Sequence, residues 1–410
     1  MRKAVIKNKL VTVLIAVMIA VTALGGWASL FGQASAADSS VKLTYVSPSK
    51  IYSDSSKSKS KNAKTSKTKK STEAKSNKSS KSSNESSNGA PGKPPSNGQG
   101  GGQPPSENPP AAGNQSGGQP TSGGPGGGAN TQSYDYSGTN KGELTASKKR
   151  VKVSNKTIKS TTADVNTLLA KSGGILTVKN SKITKSGDDT NGDNVNFYGI
   201  NSSALAVGKG SKLFLSKSSI ASTSEGSNGI FSTDKATVYA NDVKITTKKS
   251  GNSRGLDATY SGVIYANKMN ISTEGAHSAA VATDRGGGYI SVTNSTFKTS
   301  GSGSPLIYST GDIEVDAVKG TATGSQIAGI EGQNRILIYN SSLTSTNDAI
   351  SGSDPIKNGV IIYQSTSGDA ETASSKLGDF EAVDSTLKST ISGGAMFYVT
   401  NTNAKVVLQN

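Results

Sequence analysis

The chain has 410 residues, 48 of them Gly, with one His, one Trp, no Cys and a hydrophobic fraction of 32%. Without cysteine it has no disulfides and no thiolate metal sites, and so low an apolar content suits an elongated fold with a thin core better than a compact α/β enzyme. The formal charge of +17 is unevenly placed: residues 131–410 carry 28 basic and 23 acidic side chains, so most of the excess lies upstream. No nucleic-acid-binding motif accompanies it, which argues against a nucleic-acid partner.

In chain order, Arg2, Lys3, Lys7 and Lys9 form a basic start, followed by the apolar run Leu10–Leu24 and the small-residue stretch Ala34–Ala36. This is the pattern of a cleaved secretory signal over residues 1–36. Apolar character continues to Phe31, so an uncleaved anchor is the alternative. Either reading puts the bulk of the protein outside the membrane, secreted or at the cell surface, with membrane contact only through this segment. Residues 37–132 are first Lys/Ser-rich and then Pro/Gly-rich. Such composition cannot bury enough apolar surface to offset its ordering entropy, so the reading is a disordered spacer. It acts either as a plain tether or as a basic strand lying along anionic wall polymer or phospholipid.

From residue 140 to 410 the pattern apolar–x–apolar–x–Asn–x–x–apolar recurs. Asn155, Asn180, Asn294 and Asn340 fill the Asn slot in its clearest copies, and Lys217, Asp242, Lys268, Ala317, Asp384 and Asn410 fill it elsewhere. A period near 25 residues means a solenoid. Each period holds three short alternating segments, such as "GLDAT", "VIYAN" and "NIST", so the expected fold is all-β: a right-handed parallel β-helix with three strands per coil. A leucine-rich horseshoe is the rival at this period, but its Leu-dense consensus is absent. Asn suits the bend between the second and third strands, because it tolerates left-handed angles and its amide can bond the next coil. Thr161–Lys171 has a helical apolar spacing and is expected to be a short capping helix. The longer steps Asn180 to Lys217 and Asn340 to Asp384 are expected to be loops leaving one corner. The last residues, "AKVVLQN", fill the second-strand slots and stop at the bend. The expectation is a solenoid with further coils beyond Asn410, and end-to-end association of a chain that stops there.

The stretches "NFYGINSSALAVG", "GSNGIFSTDKATVYAN", "SRGLDATYSG", "VATDRGGG", "GSPLIYSTGDI", "GVIIYQSTSGDAE" and "GAMFYVTNT", together with the Asn ladder, resemble secreted, adhesin-like β-helix proteins of Gram-positive bacteria within the pectin-lyase-like superfamily. That resemblance covers most of residues 140–410 and implies a surface module, with no reaction to carry over.

β-Helices also host polysaccharide-cleaving enzymes, which need clustered carboxylates with a base on one outward strand row. The candidates are Asp257 with Arg254, Asp284 with Arg285, and His277. Against them, Arg285 can pair with Asp312, and Phe231, Val281 and Tyr308 are read into the slot of Asp257, leaving no second carboxylate there. The loop with Asp188, Asp189, Asn191 and Asp193 is oxygen-rich enough for Ca²⁺, but it lacks EF-hand spacing and also reads as an ordinary polar turn. Tyr198, Tyr260, Tyr363 and Tyr398 are read as exposed rings on which sugars can stack. Cell-wall or host glycans are the expected partners, no cofactor beyond that possible Ca²⁺ is implied, and a polysaccharide-active enzyme or an inert structural wall component is the alternative.

Overall fold

The computed structural model describes residues 133–248, 251–352, 354–364 and 377–410, which belong to one compact unit. The signal and spacer readings lie outside the described residues. What is described is a parallel β-helix. Ten strands, from Lys141–Ser147 to Ala395–Thr400, stack in chain order as the first face. The second and third faces form one continuous sheet of sixteen strands. In Lys212–Ser222, Thr237–Thr247 and Gly262–Thr273 a single strand runs through the bend and serves both faces.

Alternation within each short strand sends every second side chain inward, and parallel register stacks those side chains into columns. One column on the second face runs Val151, Leu176, Leu213, Val238, Ile264, Ile290, Ile313, Ile336 and Phe380. The third face contributes Ile158, Ile183, Ile220, Ile245, Ile271 and Phe297. Nearly all are fully buried in one core, and each such aliphatic side chain contributes about 1.5–3 kcal/mol on burial. On the strand Ala404–Gln409, Val406 is 38% and Leu408 59% exposed.

The Asn slots from Asn155 to Asp384 share one bend, and each residue there has positive φ, Lys217 and Ala317 included. Slot amides bond each other only where two Asn are adjacent, as in Asn180 Nδ2 to Asn155 Oδ1. Asn294 turns instead to Asn267 Oδ1 (3.0 Å) and Asn340 to Asp316 Oδ1 (2.7 Å).

Thr161–Lys171 is not a helix. Val165–Lys171 is a first-face strand paired with Lys141–Ser147 and Ala204–Val207. Leu168 points into the core while Leu169 joins a second, outer cluster with Leu205, Val207 and Phe231, so the two adjacent leucines serve opposite sides of a strand. Pairing on both edges overrides the local helical spacing. The described helix, α1 (Gly192–Tyr198), lies instead in the first long step, capped by the Asn191 side chain and by Gly199 at φ 69°. The second long step is split. Residues 346–357 follow the third-face strand Ser342–Ser345, then Asn358–Tyr363 returns as a first-face strand. The rest of the step separates Asn358–Tyr363 from the second-face strand Gly378–Val383, so the extra residues do not all follow the third-face strand.

Candidate functional site

The first face carries the polar groups that the sequence picks out. Its outward row reads Leu169, Leu205, Phe231, Asp257, Ala282, Tyr308 and Gly329. Ala282, not Val281, therefore occupies the slot beside Asp257; Val281 pairs with Leu256 and points inward. The apolar start of this row is covered from outside, by α1 and by the segment Tyr134–Asn140. Tyr134 packs on the outer cluster, and Lys171 Nζ donates to Asn140 O at 2.8 Å.

Arg254 sits beneath α1 and draws three partners together. Its Nη1 donates to Asn196 Oδ1 on the helix (2.8 Å) and to Asp257 Oδ2 (3.2 Å), and its Nη2 donates to Asp284 Oδ2 (3.0 Å). Two further bonds hold the helix: Thr259 Oγ1 donates to Phe197 O at 2.8 Å, and Asn228 Nδ2 to Val195 O at 3.2 Å. Asp257 is wholly buried, and its Oδ1 has no hydrogen-bond partner among the described residues. Burial pushes its carboxyl well above the usual range, against the pull of Arg254, and nearby Asp284 adds to the push. One guanidinium thus serves two carboxylates, Asp257 fully buried and Asp284 partly exposed. In this position the carboxyl is engaged with Arg254, which reaches the helix through Asn196.

Arg285 lies over the Phe197 ring, 3.8 Å from guanidinium carbon to centroid. Asp312, its expected partner, is held by Arg335, whose Nε donates to Oδ1 at 2.9 Å. His277 occupies the turn leading into the first face at positive φ, and burial, then Arg254, lowers its pKa. The structure therefore joins Arg254, Asp257 and Asp284, and sets Arg285 and His277 at the margin.

The tyrosines are not exposed platforms. Tyr260 is 4% exposed and stacks on Tyr198 at 5.7 Å with an interplanar angle of 7°. Tyr134 meets both rings edge-on, and Tyr136 packs on Tyr198 at 5.1 Å. Tyr198 O–H donates to Asp135, and burial pushes its hydroxyl up to about 12. These rings bind the covering segment to α1. Farther along the face, Tyr308 and Tyr363 both donate to Glu331 Oε2, the latter at 3.1 Å. Tyr398 stands in the outward row beside Ile361, partly buried and away from the other three.

In the acidic loop, Asn191 caps α1, accepting from Asn194 N at 3.1 Å, and Asp188 Oδ1 accepts from Glu225 N at 2.9 Å. Burial raises the pKa of Asp189, and Asp193 lies in the first helical turn. The four side chains are spread over these separate duties. Among the described residues no group of three or more acidic or His side chains is placed to hold a metal ion.

Two features escaped the sequence reading. On the second face, Phe214, Tyr239 and Tyr265 stack at 4.8 and 5.5 Å. Beyond them Glu314 accepts from Tyr289 O–H at 2.9 Å, next to the Asp312–Arg335 pair. Burial, reinforced by Asp312, pushes the Glu314 carboxyl up to about 7 despite Arg335. The 25-residue step between Tyr289 and Glu314 was the available clue. The second feature is a serine column at the turn into the first face: Ser227 N donates to Ser253 Oγ, Ser253 N to Ser278 Oγ and Ser278 N to Ser304 Oγ, at 2.9–3.0 Å.

No family model matches the chain, and neither a curated protein nor a solved structure matches it.

Proposed function

We propose that this chain is a secreted or cell-surface, adhesin-like module whose β-helix offers an extended binding surface to glycans or cell-wall polymers. The observation that carries this reading is the contrast between its faces. On the first face Arg254, Asp257 and the Tyr198–Tyr260 pair are closed over by α1 and the Tyr134–Asn140 segment and are engaged with their neighbours. The sixteen-stranded sheet of the other two faces instead presents outward rows in unbroken register along the solenoid. Rows of that kind suit a linear partner that makes many repeated weak contacts better than a small molecule needing a pocket. The likeness of the repeats to secreted Gram-positive β-helix proteins supports the same reading.

The test is a glycan and wall-polymer array probed with the purified chain. Saturable binding that strengthens with polymer length is expected. Cleavage of any arrayed polymer, or no retention on any of them, would overturn the proposal.

A further inference from the structure

The third face carries a charge pattern that neither of the others has. Its strands present two outward rows. Register places Lys182, Lys244 and Lys319 in one row, and Lys159, Lys298 and Lys388 in the other. All six are exposed. In two coils whose outward rows lack lysine, the bordering bend supplies one, Lys217 and Lys268, while in two others the same bend slot holds a carboxylate, Asp242 and Asp384, beside Lys244 and Lys388. From the coil of Asn155 to that of Asp384, every coil except that of Asn340 therefore offers an ammonium on this side. The two outward rows hold no carboxylate, no arginine and no aromatic ring; apart from lysine they are Ser, Thr and Asn, with the single exception of Ala221. The second face differs, having Asp312, Glu314, Asp379 and Glu381 on its outward side.

No two lysines of one row sit on adjacent coils, so they form a spread of like charge along the face rather than opposed pairs, and that field attracts an anionic partner. Coils stack at about 4.8 Å, which sets the charges in a line along the axis and calls for a linear polyanion. Lysine is a compact point charge that accepts anions without a fixed register, whereas arginine forks are the residue of planar carboxylate recognition. Lys, Ser, Thr and Asn are also the side chains that contact phosphate oxygens in sequence-independent binding. The missing rings leave nothing on which a base or sugar could stack.

We infer that the third face binds a linear polymer of polyol units joined by phosphodiesters, which rests on the polymer-binding reading above and specifies its partner.

The test uses the full chain and lipid-free poly(glycerol phosphate). Ten lysines between Lys57 and Lys81 also attract polyanions, so binding is read residue by residue, by amine-reactive footprinting with and without polymer. Protection of Lys182, Lys244, Lys298 and Lys319 is expected. Changing these four to Ser should weaken binding at least tenfold and flatten its salt dependence, while Ser at Lys148, Lys149, Lys209 and Lys235, in the turns between the first and second faces, should leave it unchanged. Unprotected third-face lysines, or a four-lysine variant that binds like the parent, would overturn the inference. Equal affinity for poly(dT) or polygalacturonate through the same lysines would overturn the phosphate-polymer assignment. If another glycan binds with these lysines unprotected, the inference falls and the extended-surface reading stands; if nothing binds in any arm, both fall.

Discussion

At the bend between the second and third faces, one residue per coil takes left-handed angles, φ 47° at Lys217 and 60° at Asp242. The sequence shows this position because Asn recurs there, but the requirement is the backbone angle, and the amide ladder is secondary to it. Where Ala317 fills the slot at φ 55°, its Cβ carries a steric cost that Asn relieves in part. Ala317→Asn is therefore expected to stabilise the fold by about 0.5–1 kcal/mol, read as a higher midpoint in thermal unfolding. Glu314 makes a second prediction at this scale. Its folded pKa of about 7 lies above its ordinary 4.5, so over that interval the folded state holds more protons than the unfolded one. The stability this group contributes is complete below about pH 4.5 and is lost as pH rises through 7. Glu314→Gln should flatten the melting temperature across that interval relative to the parent; an unchanged pH profile would refute the assignment.

Among the elements, α1 was the least legible in sequence. "DNVNFY" has little helical apolar spacing, and seven residues make a marginal helix in isolation. Its stability comes from tertiary contacts: the Asn191 cap, the Tyr198–Tyr260 stack, and Arg254 reaching Asn196 from below. The reverse error at Val165–Lys171 has the same origin, since strand partners on both sides decide what a seven-residue apolar stretch becomes. Likewise Asp257 and Arg254 were legible as a charged group, but not as a buried one, because the cover comes from residues far away in the chain. Arg254→Ala removes the guanidinium that bonds Asn196, Asp257 and Asp284 beneath the helix and should cost about 3–5 kcal/mol. The loss should be concentrated locally, as faster amide exchange over residues 192–198. Asp257→Asn keeps the shape, removes the charge that burial disfavours, and should cost less than Arg254→Ala. If Asp257→Asn instead abolished the cleavage of some acidic polymer, Asp257 would be a catalytic residue and not an anchor.

For the molecule as a whole, the coil is the unit of construction, and the period of the apolar pattern made it readable before any single contact was known. Each coil buries its inward side chains mainly against the coils above and below, so stability accumulates by neighbour. Whole coils should then be removable, provided register is kept. Ile313 pairs with Ile336, 23 residues on. Deleting Ile313–Arg335 joins Asp312 to Ile336 and leaves the columns of the second and third faces continuous, with Ile290 now stacked under Ile336 and Phe297 under Leu343. That variant loses Glu314, Glu331 and Arg335 together with one layer of core, so it should melt at a lower temperature but still cooperatively, with an unchanged β-sheet circular dichroism spectrum per residue. Deleting one residue fewer, Ile313–Asn334, should behave quite differently. The shift by one turns inward side chains outward along the junction strand, setting Arg335 in the aliphatic column where Ile313 stood. An unpaired guanidinium in that column is not tolerated, so this second variant should expose the core, bind a hydrophobic dye and fail to give a cooperative melt. If the two deletions unfolded alike, coil-by-coil stacking would not be what holds the chain together.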